Sequence, residues 1–89
     1  MELVFEKKGD KYETIFEVSG NFNMHLEREE GGFVSVYQCG TEGGEYAIAA
    51  CWSDYEAGKI FDCDFGALVY PKYIKVVSRS KVNRGVVTF

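Results

Sequence analysis

The chain has 89 residues, of which 46% are hydrophobic and 16% aromatic, and it carries a net charge of −4. A chain of this length holds one core and not two, so residues 1–89 read as a single domain, and the aromatic content excludes disorder. No apolar run approaches the roughly 18 residues of a membrane-spanning helix, and net acidity argues against nucleic acid as a partner.

Leu3, Val4 and Phe5 open a first short strand, which stops at the polar turn Lys7-Lys8-Gly9-Asp10. Tyr12 to Ser19 reads as a second strand, with Tyr12, Phe16 and Val18 on one face and Glu13, Ile15 and Glu17 on the wetter one. Asn21 to Gln38 is the stretch that organises the rest. Phe22, Met24 and Leu26 alternate with Asn23, His25 and Glu27; Glu29-Glu30-Gly31-Gly32 interrupts, and the β-prone run Phe33 to Tyr37 follows. Alternation, a glycine pair that admits positive φ, and a second β-prone run predict a hairpin.

The glycine-rich stretch from Cys39 to Gly44 is followed by no Lys-Ser/Thr pair and no helix, so a plain hairpin turn is expected there rather than a phosphate cradle. Glu45 to Trp52 is the most continuously apolar run and predicts an interior strand buried on both sides. Past the polar connection Ser53 to Gly58, Phe61, Cys63 and Phe65 alternate with Ile60, Asp62 and Asp64 until Gly66 breaks the pattern. The run from Leu68 to Ser78 holds the sole proline, Pro71, which donates no ladder hydrogen bond and so marks an edge strand or a junction of two strands. Tyr73 to Val77 continues as strand, Ser78 to Asn83 turns, and Gly85 to Phe89 closes the sheet. The result is an all-β chain of seven or eight short strands, predicted to be a small antiparallel β-sandwich of jelly-roll or immunoglobulin-like type, with a closed barrel as the alternative. Its rings suit a core roughly 10 Å thick, and a domain this short is expected to be stable by on the order of 5 kcal/mol.

Cys39, Cys51 and Cys63 are odd in number and spaced twelve apart, which fits neither a complete disulfide set nor a zinc motif. Reduced thiols in a cytoplasmic protein are expected, two or more of them buried, and no basic leader precedes an apolar block at the N-terminus. His25, the single histidine, falls on the solvent side of its strand and reads as a surface residue. Asp62 and Asp64 share a strand face near Asp54 and Glu56, without the ligand count or spacing of a calcium loop, and read as a solvated face. No catalytic residue, metal site or cofactor is expected.

All fourteen acidic residues lie between Glu2 and Asp64, giving residues 1–64 a net charge of −9, while residues 65–89 hold Lys72, Lys75, Arg79, Lys81 and Arg84 and no acid, for +5. Either these charges interleave in one sheet, or the basic set forms a partner-facing patch that docks on an acidic one. The expected function is a non-catalytic structural or protein-interaction module that assembles with itself as a homo-oligomer, with a protein partner, or with a larger particle of phage-like or mobile-element type. The alternative is a small-ligand or carbohydrate-binding module that stacks rings on Trp52, Tyr55 and Tyr46.

Overall fold

The structure, a computed structural model, describes residues 1–66 and 72–89. In chain order the strands are β1 (Glu6–Lys8), β2 (Lys11–Val18), β3 (Phe22–Arg28), β4 (Val34–Cys39), β5 (Ala47–Trp52), β6 (Ile60–Phe65), β7 (Lys72–Ser78) and β8 (Val82–Thr88). They make a five-stranded sheet in the order β1-β2-β7-β4-β5 and a three-stranded sheet in the order β6-β3-β8, antiparallel throughout. The fold is therefore all-β and a two-sheet sandwich, not a closed barrel. Among the described residues there is no helix, and so none long and apolar enough to cross a membrane. Leu68 and Pro71, and the choice between edge strand and junction, lie outside the described residues.

Period-two alternation decides what is buried. The five-stranded sheet sends Phe16, Val18, Val34, Val36, Ile74 and Val76 inward, and the three-stranded sheet answers with Phe22, Met24, Leu26, Phe61 and Val87. Ring contacts tie the layers together. Phe16 meets Phe22 edge-on at 5.6 Å, and Trp52 meets Phe61 edge-on at 4.9 Å, arrangements that match the ring quadrupoles.

Three expectations are corrected. The strands on either side of Gly31-Gly32 exist, but they are not a hairpin. β3 pairs with β6 and β8, whereas β4 pairs with β5 and β7, so the connection crosses from one sheet to the other. The reason is that both strands carry a full apolar face, and each must bury it against the opposite layer. The run Glu45–Trp52 is not interior either. β5 ends the five-stranded sheet, and four of its six residues are exposed. Alanines without large neighbours leave such a strand little to bury, so continuous apolarity did not signal depth. The first strand also sits later than expected, at Glu6–Lys8, while Leu3 and Phe5 pack on the core from outside the ladder.

The sheet-to-sheet crossing is held by Arg28, which alternation places on the inward face after Leu26 and which is 4% exposed. Its Nη1 donates to the carbonyls of Gly32 at 2.8 Å and Phe33 at 3.4 Å and to Ser78 Oγ at 3.2 Å, while Nη2 donates to the carbonyl of Gly58. Among the described residues Nε has no partner and no carboxylate lies within ion-pair distance, and burial pushes the guanidinium below its ordinary value. Around it Gly32 N donates to the Ala57 carbonyl at 3.1 Å, Phe33 N to Asp54 Oδ1 at 2.8 Å, and Ser80 Oγ to the Glu30 carbonyl at 2.5 Å. Gly32 sits at φ 140°, where a Cβ would meet the Arg79 side chain at 3.0 Å, so this corner requires glycine.

Each of the sheet edges is blunted. β1 is three residues long and charged, β6 carries Asp62 and Asp64, and β8 is paired by the N-terminal segment, with Leu3 N donating to the Gly85 carbonyl at 2.8 Å. A Cβ on Gly85 would meet Phe5 at 3.1 Å and Leu26 at 3.2 Å, so the missing side chain is what lets the segment lie there. β5 carries a bulge. Val36 pairs with Ala50 and Tyr37 with Ile48, leaving Ala49 unmatched. These devices discourage edge-to-edge addition of further strands.

Replacing Arg28 with Met is expected to lower stability by about 3 kcal/mol, because the Gly32 and Gly58 carbonyls and the Ser78 hydroxyl lose their buried donor. Arg28→Lys restores only part, since one ammonium cannot fork among separate loops. Urea unfolding followed by Trp52 fluorescence measures both; an unchanged midpoint for Arg28→Met sinks the assignment.

Candidate functional site

The outer faces of the two sheets differ in kind. On the three-stranded sheet, β3 presents Asn23, His25 and Glu27 opposite Asp64 and Asp62 on β6 and Arg84 on β8. His25 Nδ1 lies 2.7 Å from Asp62 Oδ1 and Nε2 lies 2.9 Å from Glu27 Oε2. Arg84 reaches Glu27 at 3.5 Å and Glu2 at 3.8 Å, and Asn23 Nδ2 donates to Asp64 Oδ1 at 2.9 Å. Hydrogen bonds to the Glu27 carboxylate and then to that of Asp62 raise the His25 value above 6.5, which favours the imidazolium, the form that donates from both nitrogens.

The five-stranded sheet turns an aromatic and aliphatic face outward. Register sets Ile15, Lys75, Tyr37 and Ile48 side by side across β2, β7, β4 and β5. The Lys75 ammonium stands 5.0 Å from the Tyr37 ring centroid and 4.9 Å from that of Tyr46, within cation–π range of both. Beside this row a cavity of about 390 Å³ is lined by Ile15, Glu17, Glu42, Gly43, Tyr46 and Tyr73. The turn after β4 carries Glu42 and Gly43 to it; Cys39 Sγ donates to the Thr41 carbonyl at 2.9 Å and pins that turn. Burial raises the Tyr73 phenol, with Glu17 and Glu42 adding to the effect, and burial followed by Cys39 and Glu42 raises Tyr46. Both phenols stay protonated and polar-tipped.

The aromatic trio of the alternative reading is not brought together. Trp52 is half-buried against Phe61 and Phe65 on the inner face, Tyr55 is fully exposed in the following turn, and Tyr46 belongs to the outer face. Trp52 lies six positions beyond Tyr46, about 20 Å of extended chain. The basic residues are spread as well. Lys75 lies between tyrosines, Arg79 pairs with Asp54 at 2.8 Å, Lys81 with Glu29 at 4.0 Å, and Arg84 with Glu27 and Glu2. They interleave with acids on both sheets instead of gathering on one face; Lys72 opens β7, and its side chain lies outside the described residues. The cysteines are all free, with Cys39 buried, Cys63 half-buried and Cys51 exposed. Among the described residues no group of three or more His, Cys, Asp and Glu is placed to hold a metal ion.

The sequence reading singles out neither Tyr37 nor the buried role of Arg28. The signal for Arg28 is alternation itself, since it shares the parity of Met24 and Leu26. No protein-family model and no curated protein matches the chain.

Because the folded His25 value is raised, its contribution to stability is full below about 6.5 and is lost as pH climbs through the folded value. Glu27, lowered chiefly by its hydrogen bond to His25, contributes above 4.5 and loses that as pH falls through its folded value. His25→Asn is expected to abolish the loss on the alkaline side, seen in urea midpoints between pH 6 and 9 alongside an imidazole proton NMR titration; an identical pH profile refutes the clamp. The thiols are expected to separate too. Burial pushes Cys63 up to about 12, so iodoacetamide labels Cys51 first, with Cys63 and Cys39 following only on unfolding. Peptide mass mapping of partly labelled protein checks the order.

Proposed function

We propose that the chain is a non-catalytic protein-interaction module that docks a protein partner, alone or as part of a larger particle, on the outer face of its five-stranded sheet. The observation that carries this is the row Ile15, Lys75, Tyr37 and Ile48, whose isoleucines are 53% and 59% exposed. A sheet face meant only for water alternates polar residues there, as the three-stranded sheet does, whereas contiguous exposed apolar and tyrosine surface marks an interaction site. Glu13 and Glu17 flank Ile15 on the same face of β2, Glu42 stands at the neighbouring turn, and none has an ion-pair partner among the described residues. An acidic rim around an apolar centre favours a partner with the opposite pattern, a hydrophobic patch edged by Lys or Arg.

A second copy fits this face less well, since two copies meeting there set glutamates against glutamates, and the blunted edges oppose strand addition. The non-catalytic reading is supported by His25, whose two ring nitrogens are both occupied by carboxylates and leave none to act as a base. Free thiols support a cytoplasmic setting.

Selection of a displayed random-peptide library on the wild-type chain is expected to enrich peptides that combine aliphatic or aromatic residues with Lys or Arg. Ile48→Glu is expected to weaken those peptides by about tenfold or more while leaving the urea midpoint within roughly 0.5 kcal/mol, because the site is exposed. Enriched peptides that bind Ile48→Glu as well as wild type overturn the proposal, as does a set with no basic bias.

A further inference from the structure

We infer that the groove between Tyr46 and Tyr73 is the anchor pocket of this face and takes a guanidinium, the side chain of an arginine carried by the partner; the inference rests on the docking reading above. The cavity of about 390 Å³ offers what an arginine needs from a receptor. Tyr46 and Tyr73 line it with aromatic rings, the partners a flat cation stacks against. Glu17 and Glu42 supply carboxylate oxygens for the N–H fork, and Ile15 supplies apolar surface for the methylene stem.

This surface already handles a cation in that manner, with the Lys75 ammonium 4.9 Å from the Tyr46 centroid and 5.0 Å from that of Tyr37. Glu17 and Glu42 outnumber Lys75, so among the described residues the groove keeps a net negative charge for an incoming cation. Both carboxylates line the same groove as Tyr73. An anionic ligand meets repulsion there, and a neutral one leaves both carboxylates without a counter-charge. A guanidinium supplies that charge while matching the rings in shape, which a compact, strongly hydrated ammonium does less well.

The test titrates the isolated chain with N-acetyl-arginine methylamide, its neutral isostere N-acetyl-citrulline methylamide, and the lysine analogue, following tyrosine ring and backbone resonances by NMR. The arginine probe is expected to shift Tyr46, Tyr73, Glu17 and Gly43 and to bind roughly tenfold tighter than citrulline, a ratio equal to about 1.4 kcal/mol, with lysine between them. Glu42→Gln and Tyr73→Leu are each expected to weaken it by about fivefold or more at an unchanged urea midpoint. Citrulline binding equal to arginine, or shifts clustered away from Tyr46 and Tyr73, overturns the assignment. Because the probe needs no macromolecular partner, a peptide selection that succeeds while the probe fails removes the arginine pocket and spares the docking face.

Discussion

A single buried guanidinium governs how this chain is laid out. Arg28 closes β3, points into one end of the sandwich, and among the described residues is answered only by neutral oxygens from the β3–β4 crossing, the β5–β6 connection and β7. A charge without a carboxylate is costly to bury, and it is tolerated where several dipoles are turned on it at once. The loops at this end therefore share one hydrogen-bond centre, and none can move without stripping the others of a donor. That shared centre lets a connection pass between sheets within a few residues, so the two layers meet with their apolar faces in register.

With the interior settled, the two outer surfaces are free to differ. The smaller sheet is covered by a chain of charges, Asp62–His25–Glu27–Arg84–Glu2, in which each member answers its neighbour. Exposed pairs of this sort contribute little to stability, but they keep that surface hydrated and self-satisfied. Among the described residues the larger sheet has no such network. Its central cation is placed against rings, its glutamates stand apart from any base among the described residues, and its aliphatic side chains face outward. One surface is electrically closed and the other is left open, and that contrast supports a docking role better than net charge alone.

Strand existence was largely legible in the sequence, because alternation such as Phe22-Met24-Leu26 and Phe61-Cys63-Phe65 is a direct image of a two-faced ladder. Pairing was less legible. Gly31-Gly32 has the composition of a tight reversal, and local sequence cannot distinguish a turn that returns along the same sheet from one that steps to the other. The difference lies with Gly58 and Ser78, 30 and 50 residues away from Arg28. Burial of β5 was misjudged because apolarity measures what a residue tolerates, not what its neighbours cover. The opposed charges of the two segments were real in the chain and dispersed in space: β7 lies between β2 and β4, and β8 beside β3, so antiparallel pairing dealt the basic strands among the acidic ones.

The grouping of Tyr46 with Trp52 failed for a reason that lies in one alanine. In an unbroken ladder, residues 46, 48 and 52 point the same way. Ala49 is supernumerary against β4, and past it the parity reverses: Trp52 joins Phe61 in the interior while Ile48 and Tyr46 look outward. A single extra peptide unit thus divides β5 into two short arms with different allegiances, one committed to holding the fold and the other available to whatever approaches it. Excising that unit would merge the arms, leaving the indole and the isoleucine to compete for one side of the strand, so the division of labour rests on an insertion that no side chain advertises.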